Sequence, residues 1–242
     1  MKNNNVKISL IVCAYNEEKY LGDCLDCAIK NSEGRFYEII VIDNASTDKT
    51  KEIALARPGV RVVRENQKGL TRARERGYQE ATGNILAYID ADTRMPEGWV
   101  DRVVEEFEKN DELACLSGPY VYYDISKAKS LSVKAYWYLL ATPMYWIVGY
   151  MTVGGNFVIR KDILEKMDGF DTTIEFYGED TNIARRAHAF GKVKFMPSHY
   201  MYTSGRRLEK QGIASTCKEY TKNFLSEVLL HKSVTKEYKD LR

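Results

Sequence analysis

The sequence predicts an α/β fold built on a mainly parallel twisted sheet, with a less regular C-terminal half and a long amphipathic helix near the end. Three observations support this fold class. Short runs rich in Ile, Leu and Val alternate with segments of helical period through the first half of the chain. These apolar runs are nearly continuous, which is typical of strands that helices cover on both faces. Turn-forming residues bound the runs.

The first half reads as four strands with helices between them. The predicted strands are Lys7–Ala14, Tyr37–Asp43, Val60–Arg64 and Asn84–Asp90. The predicted helices are Glu17–Lys30, one that begins after Ser46-Thr47-Asp48, and Leu70–Ala81. A cluster of Ser, Thr and Asp favours a helix start because its side-chain oxygens accept hydrogen bonds from the free N–H groups of the first turn.

The second half predicts fewer regular elements. Strands are expected at Ala114–Tyr123 and Thr152–Ile159, and a helix at Glu179–Phe190. Apolar residues then recur at steps of three and four, which indicates the long amphipathic helix; they are Ile213, Cys217, Tyr220, Phe224 and Val228. No linker rich in Gly, Ser or Pro divides the chain, so we expect one domain over residues 1–242.

Composition excludes several classes of protein. Charged residues make up 29% and hydrophobic residues 44%, which is typical of a globular protein and not of a disordered chain, a collagen or a coiled coil. The net charge of +2 gives no indication of nucleic-acid binding. The five cysteines include a lone CxxC at Cys24 and Cys27, too few ligands for a zinc site, which favours reduced thiols in a cytoplasmic protein.

One long segment raises the question of a membrane. Residues 135–159 carry no charge and are rich in Tyr and Trp, although Pro143, Gly149 and Gly154 interrupt them. Such a segment fits either a buried layer beneath the site or a surface that touches lipid, since aromatic rings with polar tips suit an interface. Arg206–Arg242 adds nine basic against five acidic residues. The first residues show no signal-peptide core.

Carboxylates at the ends of predicted strands are the first candidates for chemistry. Ligands of open α/β sheets bind beyond the carboxyl ends of the strands. Glu17, Asp43, Asp90 and Asp92 all fall there. Asp90 and Asp92 flank Ala91, so both could bind one Mg²⁺ or Mn²⁺ that also holds a diphosphate, although a solvated acidic turn is the alternative. Neither GxGxxG nor GxxxxGK[ST] occurs, which argues against a Rossmann dehydrogenase and a P-loop enzyme.

A set of motifs in a fixed order resembles family 2 glycosyltransferases of the GT-A fold. The set covers roughly residues 7–206 and is specific as a whole. Its members are SLIVCAYNEE (9–18), VIDNASTD (41–48), the NxxG at 66–69, TRARERG (71–77), YIDADT (88–93), MDGFD (167–171) and GEDTNIARR (178–186).

The resemblance implies a role for each matching position. Ala14, Tyr15 and Glu17 would line the nucleotide base and ribose, Asp43 would bond the base, and Arg74 would face the nucleotide or its phosphates. Asp90, Ala91 and Asp92 look like the DXD element, with Asp92 as the direct metal ligand. Asp180, beside Glu179, looks like the general base of an inverting transfer. Gly155 falls where relatives shape the acceptor and donor-sugar pocket. Residues 1–93 would form the nucleotide-binding half, about 94–206 the acceptor half and 207–242 a helical extension.

The residues themselves leave alternatives at three positions. Glu179 and Asp180 begin a predicted helix, where negative charge also complements the helix dipole. Arg206 and Arg207 could clamp a diphosphate or form a basic surface turn. Relatives often carry a histidine near the diphosphate at the position held here by Thr203, and we do not expect His199 to bind metal.

These observations predict a metal-assisted inverting glycosyltransferase that uses a nucleotide-diphosphate sugar. The acceptor is expected to be a saccharide or a lipid-linked saccharide. The protein would lie in the cytoplasm, and residues 135–159 with the basic C-terminal segment would touch the cytoplasmic face of a membrane. Two alternatives are a non-catalytic sugar-nucleotide-binding or scaffold protein, and a sugar-1-phosphate nucleotidyltransferase. The acidic CAYNEEKY after the first strand argues against the latter. The oligomeric state stays open.

Overall fold

A computed structural model of the protein describes residues 6–174, 177–232 and 234–235. Its strands are β1 Ile8–Ala14, β2 Phe36–Asn44, β3 Val60–Glu65, β4 Ile85–Asp90, β5 Thr93–Arg94, β6 Leu113–Ser117, β7 Tyr120–Tyr122, β8 Asn156–Arg160, β9 Lys192–Phe195 and β10 Met201–Thr203. Its helices are α1 Leu21–Ser32, α2 Thr50–Leu55, α3 Leu70–Glu80, α4 Trp99–Lys109, α5 Lys127–Tyr136, α6 Thr142–Val148, α7 Lys161–Lys166, α8 Glu179–His188, α9 Arg206–Gln211 and α10 Ile213–Leu230. The predicted fold class is confirmed.

The large sheet has seven strands in the order β3-β2-β1-β4-β8-β6-β9. β1, β2, β3 and β4 are parallel, whereas β8 runs antiparallel to both of its neighbours. Ala14 pairs with Asp43 and Cys13 pairs with Asp90, so the carboxyl ends of the three central strands lie level. The order of the strands reverses between β1 and β4, which is where open α/β sheets bind ligands.

Helices cover both faces of this sheet, which explains its nearly continuous apolar strands. One core lies against α1 and α4 and includes Leu25, Trp99 and Phe107. The other lies against α3 and α8 and includes Tyr88 and Phe157, whose rings stack with centroids 4.9 Å apart. Strand residues alternate between the two cores because successive side chains point to opposite faces of the sheet.

The prediction of a single strand at Ala114–Tyr123 is wrong. The segment forms two strands, β6 in the large sheet and β7 in a small sheet of order β5-β10-β7. Gly118 and Pro119 separate them. Pro119 has no N–H to continue a ladder. A Cβ on Gly118 would overlap the His199 carbonyl, so only glycine fits the crossing.

Other boundaries shift, and several elements were not predicted. Residues 17–20 form a turn, so the first helix begins at Leu21 and not at Glu17. β8 begins at Asn156 and not at Thr152. The chain also forms elements that were not predicted, among them α4, α7, β9 and β10. The long helix near the end is present as α10.

The uncharged segment is mostly helical. α5, a π-helical turn at Trp137–Ala141 and α6 run on without a break in helical backbone angles, and Gly149 ends them in the left-handed conformation. We call this continuous element the 127–148 helix. No helix in the described part of the chain is long and apolar enough to cross a membrane. All five cysteines fall within the described residues and are free thiols.

His199 lies in the core and stacks on Trp99, with ring centroids 4.8 Å apart. Within the described part of the chain, neither of its ring nitrogens has a hydrogen-bond partner. Burial lowers the pKa of His199 from 6.5 to about 3, and the nearby Arg102 acts in the same direction. The imidazole is therefore neutral and buried in the core of the protein.

We expect His199→Phe to make folding less sensitive to acid. As the pH falls from 6.5 towards 3, His199 becomes protonated in the unfolded chain but stays neutral in the folded protein. The free energy of unfolding therefore decreases over this range. Phe cannot take up that proton. Urea unfolding across this pH range should show a shallower loss of stability in His199→Phe than in the native protein. The same substitution at the exposed His188 is the control, and equal slopes in both variants would contradict the prediction.

Candidate active site

A cavity of about 500 Å³ opens beyond the carboxyl ends of β1 and β4. It gathers residues from both halves of the chain, which the sheet order brings to one edge. The predicted site residues that line it are Ala14, Tyr15, Glu17, Arg74, Asp90, Ala91, Asp92, Gly155, Glu179, Asp180, Arg206 and Arg207. Among the described residues of the lining, five are acidic and four are basic, so the site is rich in charge of both signs.

Asp43 is the predicted site residue that the structure places apart. It ends β2 beside β1, but it is fully buried and is not among the residues lining the cavity. Its carboxylate accepts a hydrogen bond from the Ser46 N–H at 3.1 Å and contacts the Arg64 guanidinium. The neighbouring Asn44 does line the cavity. The side chain of Asp43 therefore shapes the loop after β2 in this state.

Asp90, the last residue of β4, and Asp92, in the turn that follows, both enter the cavity. Asp90 is partly exposed and accepts a hydrogen bond from the Tyr120 hydroxyl at 2.8 Å. Asp92 is more enclosed, and burial raises the pKa of its carboxyl to about 7. The carboxylates of Asp90 and Glu17 add to this rise, and Arg206 opposes it. The two neighbouring carboxylates, together with burial, disfavour the ionised form of Asp92 unless a cation lies beside it.

Arg206 supplies such a cation. Its two terminal nitrogens lie 2.9 and 2.6 Å from the two oxygens of Glu17, and its Nε lies 3.0 Å from an Asp92 oxygen. The guanidinium thus joins the loop after β1 to the turn after β4 in the fork geometry that suits carboxylates. Arg206 belongs to the cavity wall and not to a solvated basic turn.

A second buried ion pair joins α3 to α8. Arg74 is almost fully buried, contacts the Glu179 carboxylate and donates to the Gly154 carbonyl at 2.7 Å. It also lies 3.9 Å from Asp90. Burial raises the pKa of Glu179, and the guanidinium opposes that rise. Arg74 therefore positions the start of α8 against β4, and its guanidinium is already engaged before any nucleotide arrives.

Asp180 follows Glu179 at the start of α8. Its carboxylate accepts a hydrogen bond from the Thr181 N–H at 2.7 Å, and its carbonyl accepts one from the Thr152 hydroxyl. Burial raises the pKa of Asp180 above its usual range, while the bond to Thr181 opposes the rise. A carboxylate of raised pKa is a stronger base, and this one lines the cavity.

Gly155 is small because the protein's own side chains need the space. A Cβ at this position would overlap the Asp90 carboxylate and the Tyr120 hydroxyl. We expected small residues here to let a substrate approach the backbone, and the packing gives them a second reason. Arg207, the last predicted site residue, donates to the Tyr177 hydroxyl at 3.2 Å.

Several lining residues were not among the predicted site residues. Tyr120 holds Asp90, and Lys68 lies 4.0 Å from the centre of the Tyr15 ring. Thr203 lines the cavity at the position discussed above for the relatives' histidine. An apolar end of the cavity was also missed; it is lined by Val133, Tyr136, Trp137, Ala141, Met144, Met151, Val153 and Phe224. No local pattern marks these residues, because their place depends on where the 127–148 helix and α10 pack.

Comparison with known proteins links this geometry to one family. The sequence profile described as glycosyl transferase family 2 matches residues 9–168, which is more than half of the chain. A dolichol-phosphate mannosyltransferase from Pyrococcus furiosus is 25% identical over 206 residues, which are 77% of this chain and 57% of that protein. The chain thus spans little more than half the length of this relative.

Solved structures share the fold. A mannosyltransferase from Pyrobaculum calidifontis, in complex with GDP-Man and Mn²⁺, matches 93% of this chain and 63% of its own with a TM-score of 0.68 at 19% identity. Glucosyl-3-phosphoglycerate synthase from Mycobacterium tuberculosis was solved in complex with Mn²⁺, UDP and phosphoglyceric acid. The match covers 93% of this chain and 79% of that protein's chain, with a TM-score of 0.66 at 19% identity. These likenesses confirm the GT-A fold. The profile match over residues 9–168 shows that the chain belongs to glycosyl transferase family 2.

Proposed function

We propose that this protein transfers a sugar from a nucleotide-diphosphate sugar to an acceptor hydroxyl, with inversion at the anomeric carbon. The observation that carries the proposal is one cavity that combines Asp90 and Asp92 with the basic side chains of Lys68, Arg206 and Arg207 and with a separate carboxylate, Asp180. A departing nucleoside diphosphate gathers negative charge, and the cationic groups stabilise it. The family supports the same reaction.

The donor would lie across the ends of β1 and β4. Tyr15, backed by Lys68, offers an aromatic face to a base, and Glu17 and Asn44 lie close by. The two related structures hold GDP-Man and UDP, respectively, which supports a nucleotide at this edge of the sheet and leaves the base and the sugar open. Entry of a diphosphate would compete for Arg206, which is held by Glu17 and Asp92 in the structure.

The residues present fit a divalent metal. Asp90 and Asp92 provide two carboxylates in the cavity, and a metal ion beside Asp92 would add to the stabilisation that Arg206 already gives its ionised form. The described residues contain no group of three or more metal-binding side chains, so diphosphate oxygens and water would complete the shell, as is usual for Mg²⁺. Such an ion would neutralise the charge of the leaving diphosphate. Both related structures contain Mn²⁺.

Asp180 is proposed as the general base. A single-displacement transfer needs one base that takes the proton of the acceptor hydroxyl. The raised pKa of Asp180 suits this role, and the Thr181 N–H fixes one of its oxygens. Arg74 and Glu179 act as positioning residues, since their buried pair holds the start of α8 against β4.

The acceptor would enter from the apolar end of the cavity. The aromatic rings at this end, Tyr136, Trp137 and Phe224, suit stacking against a saccharide or contact with the lipid of a lipid-linked saccharide. The Pyrococcus relative is named for a dolichol phosphate, which supports the second class of acceptor.

A thermal-shift panel tests donor binding, the first step of this function. UDP-, GDP-, dTDP- and CMP-sugars are added to the protein with and without manganese. A ligand at roughly 100 times its dissociation constant stabilises the fold by about 2.7 kcal/mol, which raises the melting temperature measurably. We expect one nucleotide family to give a manganese-dependent shift. No shift with any donor, from a protein that melts cooperatively, would favour the non-catalytic scaffold over the proposed transferase.

A further inference from the structure

The 127–148 helix is apolar on the side that faces solvent. Its inner side packs on the core and lines the cavity through Tyr136, Trp137 and Met144. The outer side should be polar in an ordinary surface helix. Instead it exposes 78% of Leu139, 74% of Trp146 and 85% of Ile147. We define the outer apolar face as Leu131, Tyr138, Leu139, Leu140, Trp146 and Ile147, all of which are exposed.

The geometry of the helix explains why these residues share one side. Trp146 and Ile147 follow Leu139 by seven and eight residues, respectively, which is close to two turns of an α-helix, so the three side chains lie on one side. Tyr138 and Leu140 flank this stripe, and the π-helical turn at Trp137–Ala141 lies beneath its middle. Contiguous apolar surface of this kind marks an interaction site more often than it marks ordinary exposure.

The charged residues of the helix itself all have one sign. Between residues 125 and 159 the sequence contains three lysines and no acidic residue. Lys129 pairs with Glu209, whereas Lys127 and Lys134 border a groove together with Leu131 at the start of the helix. Exposed lysines beside Trp and Tyr suit a surface that carries anionic headgroups above hydrocarbon.

We propose that the outer apolar face docks the protein onto an anionic phospholipid membrane, with the 127–148 helix lying in the plane of the interface. A second copy of the chain fits less well, because a two-fold contact brings the same patch to both sides, and residues 125–159 contain lysines but no carboxylate to pair with them. The helix does not span the bilayer; it inserts its apolar side chains between headgroups. Since the inner side of the same helix lines the cavity, docking brings the acceptor end of the site to the membrane surface.

This inference rests on the proposed function only in one respect: the proposed transferase explains why the protein would need access to an acceptor in the membrane.

The test is sedimentation of the full chain with vesicles of phosphatidylcholine, alone or mixed with phosphatidylglycerol. We expect binding to the mixed vesicles that weakens with salt, because lysine attraction to headgroups is screened. Leu139→Glu and Ile147→Glu should each lower the partition coefficient roughly tenfold or more, since each removes the insertion of a large apolar side chain.

The matched control is Leu55→Glu on α2, where the leucine is 56% exposed and far along the sequence from the helix. It should bind vesicles like the native protein. A second readout is quenching of tryptophan fluorescence by lipids brominated in their acyl chains, which Trp146→Phe should largely remove. Because Trp146 is mostly exposed, this variant is expected to fold.

Two results would overturn the docking proposal. One is equal vesicle binding, or none, by the native protein and both glutamate variants. The other is a dimer in solution that Ile147→Glu dissociates, which would make the face a contact between copies. The donor thermal shift, measured on the same preparations, separates this failure from that of the proposed function: loss of vesicle binding with an intact shift overturns docking alone, and binding without any shift overturns the transferase alone.

Discussion

Replacement of Asp180 by Asn should leave donor binding nearly intact and lower sugar transfer by roughly 10²-fold or more, the usual effect of losing an acid–base group. The carboxylate lines the cavity and has a raised pKa because of burial. Asn keeps the size of the side chain and the oxygen that accepts from Thr181, but it cannot take a proton from the acceptor. The measurement is the rate of nucleoside diphosphate release with a panel of saccharide acceptors.

The pH profile distinguishes a base from a merely structural residue. In the native protein the rate should fall as the pH drops below the raised pKa of Asp180, because the protonated carboxyl can no longer accept a proton. The residual activity of Asp180→Asn should lack this acidic limb. Asp162→Asn, which removes an exposed carboxylate paired with Lys166 on α7, is the matched control and should behave like the native protein. Native turnover in Asp180→Asn would remove Asp180 from the mechanism.

The second large effect is expected from Asp92→Asn. A divalent ion supplies several kcal/mol of charge stabilisation to a leaving group, and each 1.36 kcal/mol is a factor of ten in rate. Loss of the carboxylate should therefore lower turnover by roughly 10²-fold or more. The manganese-dependent part of the donor thermal shift should disappear. Glu17 still pairs with Arg206 in this variant, so the fold should survive.

Asp101→Asn controls for the loss of one negative charge elsewhere. Asp101 is an exposed carboxylate on α4 that contacts Arg35, outside the cavity. We expect its melting temperature and its manganese-dependent shift to match those of the native protein. If Asp92→Asn responded to manganese and donor like the native protein, Asp92 would not be a metal ligand, and its raised pKa would reflect only burial and the neighbouring carboxylates of Asp90 and Glu17.

The two buried ion pairs show where sequence reasoning reached its limit. The resemblance places Arg74 near the nucleotide, and Arg74 lines the cavity. Its partner Glu179, however, lies 105 residues away in the sequence, so their contact depends on how α3 and α8 pack over the sheet. Arg206 and Glu17 are 189 residues apart. No local pattern predicts such partners, since local sequence sets helix and strand but not which elements meet.

The sequence by itself determined the parallel strands, the acidic residues at their ends and the family, because hydrophobic period and turn chemistry act over a few residues and the motifs are contiguous. The tertiary structure decided which side chains share the cavity, why Gly155 must be small, and that Asp43 is enclosed by Arg64 and Ser46. The tertiary structure also decided which side of the 127–148 helix is buried and which is exposed. An uncharged segment gives the same sequence signal for a buried face and an exposed one, and only packing against Phe195 and α10 distinguishes them.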